Sequence, residues 1–174
     1  MGSLKPTYIS IPESRGLTHT LTPTNPNIGT SDLITCVGVY LPISATRCFV
    51  AHINAYFDKP EAKSEFEKRW TTTEQGAQIR EEVLRRLREH SQREGWSARD
   101  VVESGRKVVV MCPCYKDGKQ GLRLSGVFVV EAIREFVGGV PVEEYFDNGL
   151  QKGFVLNVFV LSVCHEGGAD ESVL

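Results

Sequence analysis

The sequence has no long uninterrupted apolar run and no large excess of charge of one sign. Its longest apolar stretch, 154–164, is broken by Asn157 and Ser162 and is about half the length of a membrane-spanning helix. A formal net charge of -2 gives no general attraction to nucleic-acid phosphates. The N-terminal residues lack the apolar core of a signal peptide and the pattern of a myristoylation signal. We therefore expect a cytoplasmic chain that binds neither nucleic acid nor a membrane.

Several short motifs are also missing. The sequence contains no P-loop, no dinucleotide-binding glycine fingerprint and no HExxH, which argues against nucleotide hydrolysis, hydride transfer and zinc proteolysis. The five cysteines form an odd number without an export signal, which favours reduced thiols. Cys112 and Cys114, with Cys164 and His165, are candidate metal ligands, but no CxxC or HxxxH spacing supports them. We expect neither a metal nor a cofactor.

The composition is that of one globular domain. The 174 residues are 41% hydrophobic and 24% charged, enough to bury a core without disulfides or a metal. We expect a single domain over 1–174 of the α/β class, built as a β-sandwich or mixed sheet with flanking helices. Residues 1–30 hold four of the eight prolines and predict a turn-rich lead-in that adds little to the core. The small, acidic segment 166–174 predicts a disordered tail.

Local patterns predict the following elements. β-Branched or alternating runs predict strands at 7–11, 33–41, 47–53, 107–112 and 153–163. Turn residues predict loops at 117–118 and 147–149. Predicted helices cover 63–70, then a segment from a capping box at 71–74 to about Arg93, and one capped by Ser125 that ends at Gly138-Gly139.

The long helix has an amphipathic pattern. Its predicted apolar stripe is Ile79, Val83, Leu84 and Leu87. Its predicted i,i+4 ion pairs are Glu81 with Arg85 and Glu82 with Arg86.

Cys36 and His52 lie on consecutive predicted strands. If opposed residues of this antiparallel hairpin sum to 88, then Cys36 faces His52 directly across a loop of Ile43, Ser44 and Ala45. Directly opposed Cβ atoms are about 4.5 to 5.5 Å apart, so the imidazole can reach the thiol. A change of one residue in the loop would place the two side chains on opposite faces.

A Cys-His pair suits nucleophilic catalysis. A thiol with a pKa of about 8.5 is mostly protonated at neutral pH, and a nearby imidazole can accept its proton to give a reactive thiolate. A third group usually orients the imidazole, and Thr30, Ser31 and Asp32 are candidates for that role. The backbone N–H of Cys36 is a candidate oxyanion-hole donor.

The segment Gly29-Thr30-Ser31-Asp32-Leu33-Ile34-Thr35-Cys36, followed after fifteen intervening residues by His52, resembles the catalytic core of the chemoreceptor glutamine deamidases. It is also similar to the protein N-terminal asparagine amidohydrolases and to the deamidases of the cytotoxic necrotizing factor type. The resemblance, which covers 29–53, implies a deamidase-like α/β sandwich that hydrolyses a Gln or Asn carboxamide. It implies Cys36 as nucleophile, His52 as base and acid, and Thr30 as the residue that orients His52.

Two other functions remain open. The same Cys36 thioester can transfer its acyl group to an amine and form an amide bond. The chain can also be a non-catalytic module that binds a protein and keeps Cys36 buried and inert. We thus expect a protein or small-molecule amide or acyl substrate, with the oligomeric state undetermined.

Three further features have less specific interpretations. His19, in the turn-rich lead-in, and His90, near the end of the long helix, are predicted to be surface residues. The terminal Ser172-Val173-Leu174 has the form of tail that PDZ domains bind.

Overall fold

The computed structural model describes residues 8–24, 27–33, 36–55, 69–113, 122–139, 141–147, 151–156, 161–165 and 171–173, with the backbone alone at 113 and beyond 142. These residues form strands and helices in one α/β arrangement, which confirms the predicted fold class. The strands are β1 Ile9–Ser10, β2 Arg15–Thr20, β3 Ile28–Ser31, β4 Val37–Pro42, β5 Arg47–Ile53, β6 Trp70–Thr71, β7 Val108–Pro113, β8 Arg123–Leu124, β9 Val142–Asp147, β10 Gln151–Leu156, β11 Leu161–His165 and β12 Glu171–Val173. The helices are α1 Thr73–Glu94, α2 Ala98–Glu103 and α3 Ser125–Val137.

The strands form two five-stranded sheets. The central sheet has the order β2-β5-β4-β7-β9, and the outer sheet has the order β1-β3-β10-β11-β12. A two-stranded sheet pairs β6 with β8. Most neighbouring strands are antiparallel, but β7 and β9 are parallel, as are β1 and β3, so both large sheets are mixed.

The three middle strands of the central sheet, β4, β5 and β7, are buried on both faces. Alternate residues of β4 (Val37, Val39 and Leu41) pack in one hydrophobic cluster with the helices, and we call this side the helix face. Tyr40 packs in a second cluster with Ile28 of the outer sheet, and we call this side the inter-sheet face. A strand covered on both sides has apolar residues at successive positions. Strand β7, which has this pattern, confirms the strand predicted at 107–112.

The lead-in contributes to the core, contrary to prediction. Ile11, Leu21 and Ile28 are at most 4% exposed and pack between the two sheets. Segments predicted as turns or loops form β2 and β3, which pair with β5 and β10. The prolines misled the prediction because they lie between these short strands and not within them.

Helix α1 follows its sequence signals closely. The capping box is shifted by one residue from the predicted site, with Thr72 accepting from the backbone N–H of Gln75. Gly95 ends the helix at a φ of 67°, a left-handed conformation that glycine adopts easily. The predicted stripe packs inward, with Val83, Leu84 and Leu87 buried and Ile79 partly buried.

The charged face of α1 differs in detail from its prediction. Arg86 bonds Glu82 at 2.6 Å as predicted, whereas Arg85 bonds Glu82 and Glu89 and not Glu81. None of the helices in the described part of the chain has the length and apolar character needed to cross a membrane.

Helix α3 is not capped by Ser125. Leu124 occupies the N-cap without a side-chain bond, and the Ser125 hydroxyl instead donates to the carbonyl of Ala55. Gly138 ends the helix in a left-handed conformation, as predicted. The short helix α2, with a capping box between Ser97 and Asp100, was not predicted.

The C-terminal third differs most from its prediction. The strand predicted at 153–163 is two antiparallel strands, β10 and β11, and the predicted tail contains β12, which pairs with β11. Strand β9 was not predicted. The predicted turns at 117–118 and 148–149, and residues 63–68 of the predicted helix, lie outside the described residues, while Trp70 is in a strand.

Candidate functional site

Cys36 and His52 are on the same face but are not directly opposed. The β4–β5 pairs sum to 90, so Gly38 lies opposite His52, and the prediction of a sum of 88 was wrong. The turn is displaced by one residue because the hydroxyl oxygen of Ser44 accepts from the backbone N–H of Arg47 at 3.1 Å. The backbone N–H of Ile43 also bonds the Arg47 carbonyl at 2.8 Å. The sum remains even, and Cys36 and His52 are therefore diagonal neighbours on the inter-sheet face.

The imidazole of His52 contacts the outer sheet through Thr30. The Thr30 hydroxyl donates to the carbonyl of Ile11 at 2.9 Å, and its oxygen lies 2.8 Å from Nδ1 of His52. A hydroxyl has one proton, and the carbonyl can only accept. Thr30 must therefore accept from His52, which places the proton of the neutral ring on Nδ1 and leaves the lone pair on Nε2.

His52 has a lowered pKa and one ring nitrogen without a described partner. Burial lowers the pKa of His52 from its usual value of 6.5, and the carboxylates of Glu13 and Asp32 and a hydrogen bond to the Ile11 backbone only partly oppose that effect. The ring is therefore mostly neutral at neutral pH. Its Nε2 atom is buried and has no hydrogen-bond partner among the described residues. Buried polar atoms are normally bonded, so this basic nitrogen calls for an explanation.

The sequence matches no protein-family model and no curated protein. A function must therefore be inferred from these residues themselves.

Cys36 is a buried thiol next to an amide. It is 3% exposed and precedes β4. Its Sγ donates to Oδ1 of Asn54 at 3.9 Å, a long contact even for sulfur. Asn54 was not considered in the sequence analysis. The register of β4 against β5 could have identified it, because paired residue numbers that sum to 90 place Asn54 opposite Cys36.

Of the three candidates for orienting His52, Thr30 alone is bonded to the ring in the described structure. Ser31 donates to the Asp32 carboxylate at 2.9 Å. Asp32 is exposed and adopts a φ of 60°. Its carboxylate acts on His52 through charge, since it raises the pKa of the imidazole.

The other thiols do not form a second site in the described structure. Burial raises the pKa of Cys48 to about 12, which makes it a poor nucleophile. Cys112 is buried in the helix-face cluster, and Cys114 lies outside the described residues. Cys164 and His165, described by their backbone alone, are adjacent in β11. The described residues hold no group of three or more His, Cys, Asp or Glu side chains placed to bind a metal ion.

The two remaining histidines are half-buried and not on the open surface as predicted. His19 lies in β2, opposite Cys48 of β5. His90 packs against Phe49, with ring centroids 4.8 Å apart, and its Nε2 bonds Thr18 at 2.9 Å.

A cavity of about 680 Å³ lies between α1 and strands β2 and β5. It is lined by Phe49 and Ala51 of β5 and by Val83 of α1, which all belong to the helix-face cluster. Neither Cys36 nor Thr30 lines it, although His52 and Asn54 do. Because Phe49, Ala51 and Val83 belong to the helix face, this cavity lies on the other face of the sheet from the thiol.

Proposed function

We propose that this chain is a cysteine-dependent enzyme that processes amide or acyl groups. In this proposal Cys36 is the nucleophile, His52 is the general base and acid, and Thr30 orients His52. The observation that carries it is the unpartnered Nε2 atom of a buried, neutral imidazole on the same face as a thiol. The two-sheet arrangement with flanking helices is compatible with the deamidase-like sandwich that the sequence resemblance implies.

The favoured reaction is hydrolysis of a Gln or Asn carboxamide. His52 Nε2 takes the thiol proton, and Sγ bonds the carbonyl carbon while the C=O π pair moves to oxygen. The oxyanion then reforms the C=O bond, the C–N bond breaks, and His52 gives its proton to the departing ammonia. Water next attacks the thioester with His52 as base, which releases the acid and restores the thiol. An amine in place of this water would give the alternative reaction, acyl transfer.

The Ile11–Thr30–His52 chain supports this assignment on physical grounds. It fixes the ring by a bond to a neighbouring sheet, and it leaves the basic nitrogen free to accept a proton. Diagonal neighbours are about 7 to 8 Å apart at Cα and closer at Cβ, within reach of an imidazole and a thiol. Catalytic hydrogen bonds are often long before substrate binds.

A second candidate is supported by the burial of the thiol. A Cys36 side chain that is 3% exposed, together with a cavity on the opposite face of the sheet, fits a non-catalytic binding module. In that function Cys36 packs between the sheets, and the cavity beside α1 binds a partner.

Alkylation of Cys36 by iodoacetamide across a pH series separates the two candidates. Peptide mass mapping assigns each modified cysteine. The enzyme predicts a Cys36 rate that is already high at neutral pH and that falls in His52→Ala, where it rises only near pH 8.5. His19→Ala is the matched control, because it removes another half-buried imidazole of the central sheet.

A Cys36 that reacts only after the protein unfolds would favour the binding module. A native rate that is identical in wild type and His52→Ala would exclude the Cys-His pair.

A further inference from the structure

Asn54 occupies the position across from the proposed nucleophile. The last pair of the hairpin joins Val37 of β4 to Ile53 of β5. The next residues beyond this pair are Cys36, before β4, and Asn54, after β5. Side chains alternate along a strand, and Ile53 packs against the helix-face cluster. Asn54 therefore projects to the same face as His52 and Cys36, consistent with its contact to the thiol.

The Nδ2 group of Asn54 makes no hydrogen bond within the part of the chain that the structure describes. The Oδ1 atom of the same amide accepts from Cys36 Sγ at 3.9 Å. Asn54 is half-buried, whereas Cys36, His52 and Thr30 are each at most 4% exposed. Asn54 is also among the residues that line the cavity beside α1. It is therefore a partly exposed polar group whose side chain contacts the buried thiol.

A thiol that attacks a carbonyl needs a donor for the oxygen on which negative charge develops. Preorganised N–H groups at that oxygen are often the largest single contribution to acyl-transfer catalysis. A side-chain amide beside the nucleophile can supply one, since rotation about its terminal bond exchanges the oxygen and the NH₂ group. When the thiol loses its proton, Oδ1 of Asn54 loses its only hydrogen bond to a described residue, and that rotation is no longer opposed.

We propose that Asn54 is a further catalytic residue, whose Nδ2–H binds the carbonyl oxygen of the substrate as that oxygen becomes an oxyanion on Cys36. This role rests on the proposed function. As Sγ bonds the carbonyl carbon, the C=O electron pair moves to the oxygen that Nδ2–H contacts. When the leaving group departs with its bonding pair, the C=O bond reforms and the contact weakens. The substrate class is a carbonyl with a leaving group, either a carboxamide or an ester.

Two reagents with different transition states test this role. p-Nitrophenyl acetate acetylates Cys36 through an oxyanion and releases p-nitrophenolate, whereas iodoacetamide alkylates the thiolate by direct displacement without one. For Asn54→Ala we expect the limiting acetylation rate at high pH to fall about 100-fold. The limiting alkylation rate should stay within about threefold, because the thiolate itself is retained. Asn54→Asp has nearly the same shape but lacks an N–H donor when ionised, and its acetylation should fall as far.

Gln92→Ala is the control, since it removes an exposed amide of α1 away from the cavity. It should change neither rate. Equal losses in both reactions for Asn54→Ala would show that Asn54 only maintains the structure, and no loss in either would remove it from the mechanism. Wild-type Cys36 that resists both reagents would refute the proposed function itself, an outcome distinct from these two.

Discussion

One hydroxyl proton determines which nitrogen of His52 is basic. The Thr30 hydroxyl donates its one proton to the carbonyl of Ile11, so its oxygen can only accept from the imidazole. Without that constraint a neutral imidazole can carry its proton on either nitrogen, and the Nε2–H form has no lone pair to offer a thiol there. In the proposed function, the activation of Cys36 therefore depends on the tautomer of His52 that Thr30 selects.

Thr30→Val should slow the reaction of Cys36 and destabilise the protein. The substitution keeps the shape but removes the hydroxyl that bonds both the His52 ring and the Ile11 carbonyl, which costs about 1–3 kcal/mol. We expect slower iodoacetamide alkylation of Cys36 at neutral pH, measured with the free energy of unfolding in urea. Thr30→Ser keeps the hydroxyl and should retain most of the wild-type rate. If Cys36 of Thr30→Val is alkylated as fast as Cys36 of wild type, the Thr30 hydroxyl does not determine the tautomer of His52.

At the scale of elements, sequence patterns that act within a few residues correctly predicted the bounds of one strand and the end of one helix. Strand β5 has its predicted bounds, and α1 ends at Gly95, because alternation and a left-handed cap are local properties. The register of β4 against β5 was predicted wrongly: the paired residue numbers sum to 90 and not to 88. The hydroxyl of Ser44 bonds the Arg47 backbone and fixes the turn at this position. That displacement placed Asn54 opposite Cys36, where the sequence alone had predicted His52.

Packing of α1 on α3 makes glycine more favourable than alanine at one position of α1, Gly76. Alanine is ordinarily better than glycine in a helix by about 1 kcal/mol. At Gly76, however, a Cβ would overlap the ring of Phe128, which is buried and has the Arg123 guanidinium 4.6 Å from its centroid. We expect Gly76→Ala to destabilise the protein by about 1–3 kcal/mol.

Urea denaturation of the purified variants measures this effect. Ala77→Gly, at an exposed position of the same helix, should also destabilise, by about 1 kcal/mol from propensity alone. A Gly76→Ala protein more stable than wild type would mean that α1 and α3 do not approach as closely as described.

For the whole molecule, the lead-in is part of the packed core and not an appendage. Ile28 is fully buried, and its strand pairs with β1 on one side and β10 on the other. The same strand carries Thr30. Residues near the start of the chain therefore hold together both the outer sheet and the proposed site.

Ile28→Ala should destabilise the protein by about 2–5 kcal/mol, the usual cost of truncating a buried aliphatic side chain. Leu17→Ala is the matched control, because Leu17 of β2 is 40% exposed and should lose less than about 0.5 kcal/mol. Thermal or urea unfolding of the two variants gives the comparison. Equal, small effects would indicate that the lead-in folds independently of the core.

The sequence by itself determined the α/β class, the bounds of β5, the ends of α1 and α3 and the shared face of Cys36 and His52. These follow from periodicity, caps and strand parity, which operate over short stretches of chain. Only the tertiary structure decided that the lead-in is core, that Thr30 reaches His52 from another sheet and that Asn54 lies beside the thiol. Such contacts join residues whose pairing depends on the free energy of the whole packed molecule, so no local pattern encodes them.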